Sequence, residues 1–153
     1  MTFNNYTQKS LEAVQSAQNI AVQHSNQQLE QIHLLLALLQ QDGGLTPQLL
    51  RKMGVNAESL EAAAKAEVRN LPTVTGSREA DRFYISAAVD ATFCTAEQQA
   101  QRMKDDFISV EHLLLGLIEA AQGSVKNLFE TYRITKEGIL QALQGIRGSQ
   151  RVT

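Results

Sequence analysis

The sequence predicts an all-α fold, specifically a tandem repeat of two four-helix units packed about a pseudo-twofold axis. The first observation is an apolar octad that occurs twice, as IHLLLALL at 32–39 and as EHLLLGLI at 111–118. The second is that an offset of 79 positions relates the two octads and also aligns their flanks, without insertion or deletion, from Tyr6 to about Val68. Neighbouring repeats of one supersecondary unit bury the same face, so the halves should share a core. Two unrelated helical runs that share a leucine-rich helix by chance are the disfavoured alternative.

The first two helices are defined by apolar spacing. Small and apolar residues recur at helical intervals over about Thr7–Gln23, and Tyr6-Thr7 supplies an N-cap. The octad lies in a second helix, Leu29–Gln40, which is apolar around most of its circumference and is therefore expected to be central. Gly43-Gly44 should end it in the left-handed conformation that glycine adopts easily.

Two shorter helices complete the first unit. Thr46-Pro47 resembles an N-cap followed by proline at the first helical position, and Gly54 should end this third helix. Asn56 caps a fourth helix that continues through Val68. The second unit repeats this order, except that an arginine, Arg133, replaces Gly54, so that turn is expected to differ between the halves.

Composition and charge exclude several classes of function. The chain has 153 residues, 43% hydrophobic and 20% charged, with a net charge of −2. Five basic and six acidic residues in 1–75, and nine and ten in 76–153, leave no basic face for nucleic acid. One cysteine, Cys94, is compatible with a reducing compartment. Neither a signal peptide nor an apolar run of the ~18 residues needed to span a membrane is present, so a cytoplasmic, membrane-free domain is predicted.

The motifs of cofactor and metal chemistry are missing from the sequence. It contains no GxxxxGK[ST], no CxxC and no HExxH, so we predict no cofactor and no metal site. A metal that bridges His33 and His112 across the pseudo-axis is conceivable, but a histidine beside a leucine run is more often structural. A nucleophilic role for Cys94 is disfavoured because no electropositive setting is indicated around it.

Four polar residues near helix starts are the candidates for a binding site: Thr7, Ser86, Asp105 and Glu111. Each also has a structural interpretation. Thr7 and Ser86 would be N-caps, Glu111 would follow a Ser109 cap and favour the helix dipole, and Asp105 would be a solvated loop charge. Spacing alone favours the structural interpretation.

A resemblance to a known family covers almost the whole chain. The two octads, YTQKS near the start, LPTVTGS at 71–77, MKDDFISVEHLLLGLI at 103–118 and the closing IRGSQRVT resemble the N-terminal domain of the Clp-type AAA+ chaperones, within them the disaggregases. The resemblance implies a substrate-capturing, adaptor-docking domain without catalytic activity, taken from a longer protein that forms a hexameric ring and hydrolyses ATP elsewhere. It implies one domain at 1–150, with repeats at about 6–68 and 85–147, a connector at 69–81, and the start of a linker at 148–153.

The same resemblance places a functional polar cluster on Thr7, Asp105 and Glu111, and Ser86 is the counterpart of Thr7 in the second half. Protease-associated relatives carry a glutamate before both octad histidines, which can receive a basic or phosphoarginine ligand, whereas here Ile32 stands opposite Glu111. A more apolar capture surface is therefore expected.

We predict that the domain, as a monomer, binds exposed apolar segments of unfolded or aggregated clients in a groove between the halves. Glu111→Ala or Thr7→Ala should then reduce affinity without changing the melting profile. The alternatives are docking of an adaptor or of the chaperone's own middle region, and, less favoured, a small enzyme that uses Cys94 or the histidines.

Overall fold

The computed structural model describes residues 3–74 and 84–147. The described residues form eight helices and two very short strands, which confirms the all-α repeat of two four-helix units. The elements are α1 Gln8–Gln23, β1 Gln28–Leu29, α2 Gln31–Gln40, α3 Leu45–Lys52, α4 Ala57–Arg69, β2 Tyr84–Ile85, α5 Ala87–Arg102, α6 Val110–Ala120, α7 Gly123–Thr131 and α8 Lys136–Arg147. The predicted connector beyond Val74 and the predicted linker at 148–153 lie outside the described residues.

The predicted N-caps of three helices are present. The Thr7 side chain accepts a hydrogen bond from the Ser10 N–H at 3.2 Å, and the Ser86 side chain accepts one from the Val89 N–H at 3.1 Å. Asn56 caps α4 in the same way. Each bond satisfies one of the amide groups that the first turn of a helix leaves without an intrahelical acceptor.

Three local predictions were wrong. The octad helix α2 begins at Gln31, because Leu29 lies in β1. Helix α3 begins at Leu45 with Gly44 as its N-cap, so Pro47 occupies the third helical position, where its missing N–H is still not needed. The turn before α8 matches the turn before α4, because Arg133 adopts the left-handed conformation (φ 56°) that Gly54 adopts (φ 81°).

Two parallel backbone pairings cross between the halves. In β1 and β2, Leu29 pairs with Ile85, and an isolated bridge joins Tyr6 to Ile108. The offset of 79 converts one pairing into the other, so they are the two copies of one symmetric contact. Each pairing places the first helix of one half beside the start of the octad helix of the other half.

The octad helices α2 and α6 form the centre of a single core. Their leucines are almost completely buried, among them Leu34, Leu35, Leu38, Leu113, Leu114 and Leu115. Helix α5 lies so close to α6 at Gly116 that a Cβ there would sit 2.6 Å from the Thr92 carbonyl oxygen. Within the described ranges, no helix combines the length and apolar character required to cross a membrane.

Candidate functional site

Each octad histidine joins the start of its own helix to the loop that precedes it. The His33 Nδ1 accepts from the Glu30 N–H at 2.9 Å, and its Nε2 lies 2.8 Å from the Asn26 side-chain oxygen. The His112 Nδ1 accepts from the Ser109 N–H at 2.9 Å, and its Nε2 lies 2.7 Å from Asp105 Oδ2. Both histidines therefore have a structural role, and residues 3–74 and 84–147 contain no group of three or more potential metal ligands.

Both imidazoles are held in the neutral form. Burial lowers the pKa of His33 to about 4. Burial also lowers the pKa of His112, although the Asp105 hydrogen bond and the nearby carboxylates oppose this effect. An Nδ1 that accepts from a backbone N–H has no lone pair left for a second proton. The contact between His112 and Asp105 is therefore a hydrogen bond from a neutral ring to a carboxylate.

A buried charged cluster lies behind His112 and consists of Asp105, Glu111 and Arg147. The Asp105 side chain is 0% exposed, Glu111 8% and Arg147 11%. The Arg147 guanidinium contacts Asp105 Oδ1, and its Nη1 lies 3.6 Å from Glu111 Oε2. The Ser109 hydroxyl donates to Glu111 Oε1. The prediction that Asp105 is a solvated loop charge was therefore wrong.

The first half has no charges at the equivalent positions. The offset of 79 relates the charged cluster to Asn26, Ile32 and Val68, which are all buried. Asn26 donates instead to the Pro72 carbonyl oxygen at 3.2 Å. Because Glu111 faces a buried guanidinium, we now expect Glu111→Ala to lower stability, in contrast to the expectation from the sequence.

Thr7 is brought to the start of α6 by the Tyr6–Ile108 bridge. The Thr7 N–H donates to the Ile108 carbonyl oxygen at 2.9 Å, and the Ser10 hydroxyl donates to the same oxygen at 2.9 Å. Ser109 and Glu111 follow Ile108 directly in the chain. The first turns of α1 and α6, which belong to different halves, are thereby fixed side by side.

A cavity of about 300 Å³ opens at this junction. Its wall is formed by the start of α1, the loop between α2 and α3, and the first turn of α6. We call it the interface cavity, and its lining includes Thr7, Gln41, Leu45, Val110 and Glu111. Leu45 and Val110 supply apolar surface, while Thr7 and Glu111 supply oxygen acceptors.

The structure separates the four candidate residues into three places. Thr7 and Glu111 line the interface cavity. Asp105 does not line it, and its carboxylate contacts the Arg147 guanidinium of the charged cluster. Ser86 is distant from it and caps α5, where its N–H donates to the Leu29 carbonyl oxygen at 3.0 Å in the symmetric copy of the Thr7 contact.

Sequence reasoning missed three residues that shape the site: Arg147, Gln41 and Val110. The signal for Arg147 was available, because the offset of 79 places it opposite Val68, as Glu111 stands opposite Ile32. Gln41 carries no comparable signal, since a glutamine after a helix is ordinary loop composition.

Comparisons with known proteins agree with this architecture. The family model described as the Clp repeat (R) N-terminal domain matches residues 5–132. The chaperone protein ClpB of Bacillus cereus is 41% identical over 154 aligned positions, which cover 100% of this chain and 18% of that protein. The chain thus spans less than a fifth of the length of this relative.

Solved structures show the same fold. The N-terminal domain of Hsp104 from Candida albicans superposes with a TM-score of 0.82 at 22% identity, covering 97% of this chain and 95% of that one. The N-terminal domain of the ClpV1 ATPase from E. coli EAEC gives 0.77 at 18% identity, covering 97% and 89%. The family match, the identity to ClpB and the doubled four-helix fold together show that this chain belongs to the Clp repeat (R) N-terminal domain family.

Proposed function

We propose that this domain captures exposed apolar segments of unfolded or aggregated proteins, and that the interface cavity is where a segment binds. ATP hydrolysis would take place in parts of the full-length protein outside this chain, and the domain itself would be non-catalytic. The proposal draws on the membership of the Clp N-terminal family and on the 41% identity to a ClpB chaperone.

The observation that carries the proposal is the composition and position of the interface cavity. It lies between the two halves, where the Tyr6–Ile108 bridge joins them. Leu45 and Val110 offer aliphatic surface, and burial of such surface contributes roughly 25 cal/mol per Å². Weak, reversible binding that depends little on sequence follows from this kind of contact.

Polar groups at the cavity would orient the bound segment. The Thr7 and Glu111 oxygens can accept hydrogen bonds from the N–H groups of an extended peptide. Asp105 would act as a positioning residue, because it holds Arg147, which in turn faces Glu111. Ser86 has no place in this arrangement, since it lies beside Leu29 at the other pairing.

The experiment is amide chemical-shift mapping of this chain with reduced, carboxymethylated α-lactalbumin as a permanently unfolded probe. Shifts should centre on Thr7, Gly43, Leu45 and Glu111. Leu45→Ser should weaken binding about fivefold, because roughly 1 kcal/mol of apolar contact is lost from a half-buried leucine.

The matched control is Val22→Ser, which changes an aliphatic residue, 54% exposed, at the opposite end of α1. It should leave the affinity unchanged. If Leu45→Ser and Val22→Ser alter the dissociation constant equally, or if the shifts avoid the cavity, client capture at this site is refuted.

Docking of a folded partner or adaptor is the second candidate. The fold is shared with ClpV, an ATPase described as coevolving with the TssB–TssC sheath and the accessory HsiE protein. A purified client without any adaptor distinguishes the two functions, because only direct capture predicts binding in that mixture.

We further propose that the isolated domain is monomeric and the full-length protein a hexameric ring in the cytoplasm, with residues 148–153 at the start of its linker. Sedimentation of the domain and of the full-length protein tests both assembly states.

A further inference from the structure

The two halves differ at the first residue of the octad helix. Gln31 begins α2, and the offset of 79 places Val110 at the equivalent position of α6. Both residues are buried, at 4% and 5% exposure. A long polar side chain in one half is therefore replaced by a short aliphatic one in the other.

Gln31 fills the groove that corresponds to the interface cavity in the other half. Its Nε2 donates to the carbonyl oxygen of Ala120 at 2.8 Å and to the hydroxyl of Thr92 at 3.1 Å, and it lies 3.3 Å from the carbonyl oxygen of Ala88. Its Oε1 accepts from the Gln122 N–H at 3.0 Å. The amide thus satisfies the polar groups at the end of α6 and the start of α5, and we call this place the Gln31 groove.

In the interface cavity, Val110 takes the place of Gln31, and among the described residues the only carboxamide that donates to an equivalent backbone carbonyl oxygen is that of Gln41. Lys9 and Gln41 are the counterparts of Ala88 and Ala120, and Val110 has no polar side-chain atom that could bond to them. Here the Gln41 Nε2 donates to the Lys9 carbonyl oxygen at 3.0 Å. Within the described part of the chain, the Gln41 Oε1 is buried and has no hydrogen-bond partner.

A buried acceptor without a donor costs free energy until a donor arrives. In this conformation Gln41 Oε1 has almost no surface open to water, so it gains a partner only when the partly exposed Gln41 side chain turns towards a ligand that brings a donor. Purely hydrocarbon ligands would therefore fit the cavity poorly. In the Gln31 groove the acceptors are backbone carbonyl oxygens and the Thr92 hydroxyl, and the Gln31 carboxamide supplies their donor.

We propose that the domain has one ligand site rather than two, because the Gln31 side chain fills the second groove. The ligand of the interface cavity is an apolar segment with an amide group that donates a hydrogen bond to Gln41 Oε1. Such a donor is a peptide N–H or the side-chain amide of a client. This inference rests on the proposed function and specifies its ligand chemistry and stoichiometry.

The test uses two small probes that need only an accessible groove. N-methylacetamide carries an N–H, and N,N-dimethylacetamide has nearly the same shape without one. In the unchanged chain, N-methylacetamide should shift the amide signals of Gln41, Gly43 and Val110 but not those of Ala120 and Gln122. It should bind about fivefold more tightly than N,N-dimethylacetamide, the ratio expected for one hydrogen bond.

Exchanging the two residues should exchange the grooves. Gln31→Val should make Ala120 and Gln122 respond to N-methylacetamide and should raise the stoichiometry for carboxymethylated α-lactalbumin from one to two. Val110→Gln should close the interface cavity to both probes. Gln31→Met, which fills the same space without hydrogen bonds, should keep the Gln31 groove closed and checks that Gln31→Val acts by opening it.

Two results would overturn the inference: responses at both grooves in the unchanged chain, or equal affinities for the two small amides. If Gln31→Val fails to fold, Val110→Gln still tests the inference, because it changes the other half. If N-methylacetamide occupies only the interface cavity while the unfolded protein binds nowhere, the groove assignment stands and client capture fails. If the unfolded protein binds at both grooves, capture stands and the one-site inference fails.

Discussion

The carboxylate of Asp105 provides the sharpest test of the charged cluster. We predict that Asp105→Asn, which installs the side chain of its counterpart Asn26, lowers the free energy of unfolding by about 3 kcal/mol. The Asp105 side chain is fully buried and contacts the Arg147 guanidinium. Removal of one partner of a buried ion pair typically costs about 3–5 kcal/mol. The lower end applies because Glu111 still lies 3.6 Å from Arg147.

The hydrogen bond to His112 should survive this change, because His33 makes the same bond to the Asn26 amide oxygen at 2.8 Å. The loss therefore reports on the ion pair. For a chain of this length, about 2–4 °C of melting temperature corresponds to 1 kcal/mol, so a decrease of about 6–12 °C is expected. Urea titration followed by circular dichroism at pH 7 gives the free energy directly.

The control is the triple variant Asp105→Asn, Glu111→Ile, Arg147→Val, which copies the first half at all three positions. Apolar replacement of a whole buried cluster is often neutral or stabilising, so the triple variant should recover to within about 1 kcal/mol of the unchanged protein. An Asp105→Asn variant as stable as the unchanged protein would refute the buried ion pair. A triple variant as unstable as the single one would assign the loss to a different contact.

Three further predictions concern stability. The pKa of His33 is lowered from about 6.5 in the unfolded chain to about 4 in the folded one, so this residue should not destabilise the fold above pH 6.5. As the pH drops to 4, the free energy of unfolding should fall by about 3 kcal/mol, which urea titration across that range measures. If a His33→Gln variant loses as much stability over the same range, the prediction is contradicted. Gly116→Ala should destabilise the fold by about 1–3 kcal/mol in thermal melts, because the new Cβ would meet the rigid Thr92 carbonyl. Gly145→Ala is the control: its Cβ displaces only the flexible end of Lys52, so it should be neutral or stabilising. Arg133→Gly should stabilise by about 0.5–1 kcal/mol in the same melts, since glycine adopts the observed φ of 56° without strain, and a destabilised variant would exclude this conformation.

Features set by neighbouring residues were predictable from the sequence. The caps at Thr7, Asn56 and Ser86 depend on a side chain and an N–H three positions away, and all three were identified. The octad pattern also sufficed to predict the central helices, because an apolar surface around a whole helix has to be buried.

Features set by distant residues were not predictable in this way. Leu29 was assigned to a helix because its strand partner, Ile85, lies in the other half of the chain. Asp105 was assigned to solvent because Arg147, 42 positions away, is what allows it to be buried. The burial of Glu111 has the same cause, and it changes what a Glu111 variant can report, because such a variant alters stability together with any contact to a ligand.

The exchanged pairings, Tyr6 with Ile108 and Leu29 with Ile85, have the form of the isologous contact in a symmetric dimer, in which residue i of one subunit meets j of the other and j meets i. The two halves therefore correspond to protomers joined into one polypeptide. Covalent connection makes their association intramolecular and independent of protein concentration. It also lets the two equivalent positions diverge, since one chain can hold Gln31 and Val110 at once, which two identical subunits cannot.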